Sequence, residues 1–180
     1  MNGPTHVIGG ALAGLTVAAV SGAGAEASTA ITVGAVATSK LPDLDRYVDK
    51  SPQHRSLPHS LILGGGGVLV AALVAMGALA SGAATEQIYN VFAGNIVTPL
   101  RLHFAVIGAV AGYFSHLALD GLTTSGIWLL WPKGKKIGLP RERAIKTGGI
   151  AEHSIAGLMV VCSLALGLLV LGEQGALASI

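Results

Sequence analysis

The sequence is poor in charge. Only 11% of its 180 residues are Asp, Glu, Lys or Arg, less than half the ~25% of a typical soluble domain. Eleven basic and nine acidic side chains cannot clothe 18.0 kDa of protein in water, which excludes a soluble enzyme with a charged shell. Disorder is excluded too, because it needs low hydrophobicity and this chain is 52% hydrophobic. One cysteine, Cys162, lies inside an apolar run, leaving neither an internal disulfide nor a thiol-pair metal site. Aromatic residues make up 4% and do not interleave with basic ones as nucleic-acid readers require. No Lys or Arg precedes residue 40, so the first apolar run lacks the basic flank of a cleaved signal peptide. The chain has no His-Glu-x-x-His, Gly-x-Ser-x-Gly or Ser-x-x-Lys. Its glycine run at 64–67 is followed by no Gly-Lys-Ser/Thr, so it is not a phosphate loop.

What the chain does have is long apolar runs and a mean hydropathy of +0.68. At about 20 apolar residues per crossing, the runs at 6–25, 27–39, 60–81, 102–119 and 150–172 give about five transmembrane helices. The second run is short for a span, and its start reaches back into the Gly/Ala turn before it. Residues 82–100 are mixed, and the apolar piece at 126–131 is too short to cross. The expected fold is all-α: one polytopic membrane helix bundle occupying residues 1–180, with small residues suited to close helix packing in lipid. Five alternating crossings put the N-terminus, the 40–57 loop and the 120–146 loop on one side. Those segments carry ten of the eleven Lys and Arg residues, and only Arg101 falls opposite. The positive-inside rule therefore places the N-terminus inside. Trp128 and Trp131, beside Pro132 and a lysine cluster, read as interface anchors.

Ionisable residues at membrane depth are costly, and each is a functional candidate. The orientation came from Lys and Arg alone, yet it gathers most of the His and Asp residues on the same inner face. His6 opens the first span, Asp43 and Asp45 follow the second, and His54 and His59 precede the third. His116 and Asp120 end the fourth, while Glu152 and His153 open the fifth. His116 and Asp120 are four apart, so they share a helix face and form half of a divalent-metal site; a helix-end ion pair is the alternative. Asp43 and Asp45 alternate in a loop, which suits one ligand and one orienting carboxylate or a simple Asp-rich turn. Pro58 biases Leu57 away from helix and leaves His59 at the start of span three as a ligand candidate. His54 is a lower-ranked ligand or acid/base candidate. Arg55 offers a fork for a phosphate or a lipid headgroup contact. Thr5 reads as a helix N-cap with His6 as a ligand in the first turn. Glu152 is a last carboxylate, a general base or a first-turn residue favouring the helix dipole, and His153 must point away from it. His103 lies about 20 Å from His116 at 1.5 Å per residue and is excluded. Ser60 is a possible nucleophile without a supporting motif.

Thr5-His6, Leu41-Pro42-Asp43-Leu44-Asp45, His54-Arg55 with His59-Ser60, and His116 to Asp120 with Thr123, Gly126 and Trp131-Pro132 occur in this order. Together they resemble the YdjM family, small inner-membrane proteins of bacteria and archaea described as membrane-bound, metal-dependent hydrolases. The order His, Asp, His, His-x-x-x-Asp is also similar to the zinc-dependent phospholipase C fold. That second likeness implies metal ligation by His6, Asp43 or Asp45, His59, His116 and Asp120. The later His and the His-x-x-x-Glu pair of that fold have no match here beyond Glu152 and His153, so one or two divalent ions, zinc foremost, are implied. The expectation is a multi-pass protein of the inner (cytoplasmic) membrane with metal-site loops 40–59 and 116–152 on the cytoplasmic side. It would hydrolyse a phosphoester of a lipid or lipid-linked substrate, with Asp45 or Glu152 as base and Arg55 on the phosphate. A small transporter and a scaffold with a structural metal are the alternatives. Transporters place ionisable residues near the midplane, whereas spans two to five have none at mid-depth.

Overall fold

A computed structural model describes residues 1–44, 57–81 and 99–178. Among them, five helices run in sequence: α1 (Gly3–Ser21), α2 (Ala25–Thr38), α3 (Leu63–Ala80), α4 (Pro99–Gly121) and α5 (Ile150–Ala178). Single 3-10 turns at Leu41–Leu44 and Leu57–His59 flank the segment between α2 and α3. A minimal antiparallel hairpin, β1 (Ile127–Trp128) and β2 (Lys136–Ile137), interrupts the connection from α4 to α5. The expected all-α architecture is what forms.

Local chemistry sets the helix ends. Pro4 sits in the first turn of α1, where its missing N–H costs nothing, and Asn2 occupies the cap position. Thr5 is therefore a first-turn residue and not the N-cap expected from the sequence. Gly22 ends α1 in the left-handed conformation, φ 60°, with its N–H turned back to the carbonyls of Ala18 and Ala19. This tight stop lets α2 begin at Ala25, two residues ahead of its apolar run. Its 14 residues rise only about 21 Å, short of a ~30 Å hydrocarbon core. The other four helices are long and apolar enough to cross a membrane, so the expectation of five spans becomes four such helices and a shorter one.

The short helix packs closely on α1 and α4. Gly108 and Gly112 form a Gly-x-x-x-Gly face on α4, and a Cβ on either would run into the backbone of Ile31 or Ala35 on α2. Gly14 of α1 meets Thr32 and Ala35 in the same way. Backbones this close gain dispersion contacts that lipid cannot match, which is how small residues drive helix association in a bilayer. In contrast, Leu73, Val74, Leu164 and Leu168 on α3 and α5 point outward and are more than 60% exposed. An apolar surface of that kind is unsuited to water and suited to hydrocarbon. The alternating helices bring the starts of α1, α3 and α5 and the ends of α2 and α4 to one end of the bundle.

Candidate metal centre

Five side chains meet at that shared end. His6 comes from the first turn of α1, Asp43 from the turn after α2, and His59 from the turn before α3. His116 and Asp120 come from the last turns of α4. All but Asp43 are at most 1% exposed. The His116 and His59 Nε2 atoms are 3.3 Å apart. Asp120 Oδ2 lies 3.6 Å from His59 Nε2 and 3.7 Å from His116 Nε2, while its Oδ1 lies 3.3 Å from His6 Nε2. Asp43 Oδ1 is 3.6 Å from His59 Nε2 and 3.9 Å from His116 Nε2. The His6 and His116 rings stack at 3.7 Å with 16° between their planes.

These separations fit a divalent ion. Two ligands on a tetrahedral zinc stand about 3.3–3.4 Å apart, given Zn–N bonds of about 2.0–2.1 Å. The observed distances, 3.3 to 3.9 Å, need contraction by only tenths of an ångström. His116 is held for ligation: its Nδ1 lies 2.6 Å from the Ser39 carbonyl oxygen. Donation of Nδ1–H to that oxygen leaves Nε2 bare towards the cluster, the usual way an outer hydrogen bond selects the ligating tautomer. The same bond satisfies a terminal carbonyl of α2, a group that helix ends leave orphaned. Neither ring nitrogen of His6 makes a hydrogen bond, although both are buried. A buried imidazole whose polar contact is only the nearby Asp120 carboxylate is costly, and a cation bound at Nε2 would offset part of that cost. His6, Asp43 and His116 form one potential ligand group, and His59, His116 and Asp120 another.

A surrounding frame fixes these side chains. The Tyr113 hydroxyl, one turn before His116, donates to the Pro58 carbonyl and so ties α4 to the turn carrying His59. Thr123 donates its hydroxyl to the Asp120 carbonyl at 2.8 Å, closing the end of α4. Ser60 is fully buried; its hydroxyl donates to the Leu129 carbonyl and accepts from the Leu63 N–H, both at 3.2 Å. With Leu61 N–H donating to the Trp128 carbonyl, it staples the hairpin to the start of α3. The hydroxyl is thus spent on backbone groups, which weakens the reading of Ser60 as a nucleophile.

Glu152 is buried beside the cluster, in neither ligand group. Its Oε1 accepts from the Asn2 N–H at 2.5 Å and the Thr5 hydroxyl at 2.9 Å, and its Oε2 from the Gly148 N–H at 2.6 Å. The carboxylate expected as a base or ligand here clamps the start of α1 to the start of α5. The Met1 amino nitrogen lies 2.6 Å from Asp120 Oδ1. His153 is exposed, with Nδ1 bonded to the Gly149 carbonyl, and does not reach the cluster. His103 lies towards the far end of α4, as expected. Asp45, His54 and Arg55 lie outside the described residues. Sequence reasoning missed the Ser39 carbonyl, the Tyr113 bridge and the Thr5–Glu152 pair. Only Tyr113, three residues before His116, carried a positional hint.

No curated protein and no solved structure matches the chain. The family profile of the YdjM inner membrane protein matches residues 1–177, the family that the motif order resembled. The chain belongs to the YdjM inner membrane protein family.

Proposed function

We propose that the protein is a metal-dependent hydrolase that cleaves a phosphoester of a lipid or lipid-linked substrate at the cytoplasmic surface of the membrane. The observation that carries this reading is the convergence of three imidazoles and two carboxylates, from four chain segments, at one end of a membrane bundle. His6, Asp43, His59, His116 and Asp120 would hold one or two divalent ions, and their mixed nitrogen and oxygen donors suit zinc. When bound, such an ion supplies Lewis acidity, which acidifies water and polarises a phosphoryl oxygen.

The chain's own groups would do the rest. Asp120 presents one oxygen to His6 and the other to His59 and His116, so one carboxylate lies against all three imidazoles. The Ser39 carbonyl keeps His116 in its ligating tautomer. Glu152, whose oxygens are taken by three donors, positions α1, which leaves Asp45 as the general base. Arg55 would take the phosphate with its planar fork. The distribution of Lys and Arg supports a cytoplasmic position for this end. A cluster at the membrane edge favours headgroup chemistry over transport, which places such groups near the midplane.

The test is turnover by purified protein in lipid. Hydrolysis of a phospholipid or a phosphodiester reporter is expected to stop on chelation, return with zinc, and be absent from Asp120→Ala. Full activity in Asp120→Ala would overturn the reading, as would the absence of turnover in protein shown to carry metal.

A further inference from the structure

The connection from α4 to α5 carries a second feature, distinct from the metal cluster. Residues 121–149 hold six basic side chains against a single acidic one, Glu142. All six are exposed: Lys133, Lys135, Lys136, Arg141, Arg143 and Lys146. Among them stand aliphatic side chains that are equally open, with Leu130 42%, Ile137 47% and Leu139 41% exposed. Trp128 and Trp131 belong to the same hairpin, and Lys136 Nζ lies 5.3 Å above the Trp128 ring.

The hairpin is held at the level of the helix ends. Ile127 packs with Tyr113 and Leu117, and the Trp128 and Leu129 carbonyls accept from the Leu61 and Ile62 N–H groups at the start of α3. A surface of cations interleaved with open aliphatic and indole groups, fixed where spans emerge, matches a layer that is anionic outside and apolar beneath. Water alone does not suit the aliphatic groups, and hydrocarbon alone does not suit the lysines.

We propose that residues 127–146, the hairpin and the loop after it, form a docking surface for the anionic headgroups of phospholipids, gathered beside the metal centre. Basic residues bind the phosphates while Leu130, Ile137 and Leu139 sit among the upper methylenes and the indoles at headgroup level. Each basic residue near an anionic surface contributes about 1 kcal/mol, which enriches anionic lipid roughly fivefold beside it. The proposal stands whether or not the metal centre is catalytic.

The two tryptophans of the hairpin are the only ones in the chain, so intrinsic tryptophan emission reports on this loop. Full-length protein would be reconstituted in vesicles of phosphatidylcholine and phosphatidylglycerol at equal mole fractions, with one lipid or the other brominated. Brominated phosphatidylglycerol is expected to quench emission several times more strongly than brominated phosphatidylcholine. That preference should vanish in the wild-type protein at about 1 M salt, where the Debye length is about 3 Å. It should also vanish in a Lys133→Glu/Lys135→Glu/Arg141→Glu variant. Equal quenching by the two lipids would overturn the proposal, as would a preference that survives both salt and charge reversal. No quenching by either lipid would also overturn it, and would leave this face to an acidic protein partner.

Discussion

Removing the Glu152 clamp should loosen the metal centre without touching a ligand. The carboxylate accepts three hydrogen bonds, from Asn2, Thr5 and Gly148, and is 1% exposed. In Glu152→Gln one side of the group becomes a donor, so it can no longer accept from both the Gly148 N–H and the α1 pair. Hydrogen bonds to charged groups contribute about 1.5–3 kcal/mol each, and an abandoned buried donor costs about 1–3 kcal/mol. Interhelical hydrogen bonds in membranes fall lower, at about 0.6 kcal/mol on average with a ceiling near 1.7. One orientation of the amide breaks the Gly148 bond and the other the two α1 bonds, so one or two lost bonds at the membrane edge give a loss of roughly 1–3 kcal/mol for Glu152→Gln. Thr5→Val removes one of the three and should lose about 0.6–1.7 kcal/mol. Because the two residues share a bond, the double variant should lose less than the sum. His6 follows Thr5 directly, so zinc affinity should fall along with unfolding stability. The assay is a double-mutant cycle by denaturant titration in detergent, with zinc affinity measured on the same four proteins. Additive losses, or zinc affinity unchanged in Glu152→Gln, would refute the positioning role.

Two further outcomes follow from packing and hydrogen bonding. Gly112→Leu should unfold or severely destabilise the bundle, because any Cβ there meets the Ala35 backbone. Gly66→Ala, with nothing within 4 Å, should be neutral or raise stability by about 0.5–1 kcal/mol; thermal unfolding compares the two. Ser60→Ala should keep hydrolysis of a phosphodiester reporter while losing about 1 kcal/mol of stability with the hairpin staple. A dead but fully stable Ser60→Ala protein would restore the nucleophile reading.

The spans were legible because charge is so scarce: a run with no Asp, Glu, Lys or Arg has few homes other than lipid. The meeting of His6, Asp43, His59, His116 and Asp120 was legible because all five lie at span ends, where alternating crossings fix the side. What stayed hidden depends on partners far away in the chain. Glu152 reads alone as a base or helix-start residue, yet its role comes from Asn2 and Thr5, about 150 residues earlier. The Ser39 carbonyl that orients His116 is a backbone atom, so no residue type announces it. The brevity of α2 was visible as a short run, but its place against α4 was not. That place follows from Gly108 and Gly112, whose spacing only gains meaning once Ile31 and Ala35 lie against them.

The central claim is the metal centre, and elemental analysis of detergent-purified protein tests it most directly. Wild type and His153→Ala should carry the same stoichiometric divalent metal, because His153 faces away from the cluster. His116→Ala should lose it, because that Nε2 lies within 4 Å of His59, Asp43 and Asp120 at once. Metal content in His116→Ala equal to that of wild type would contradict the claim.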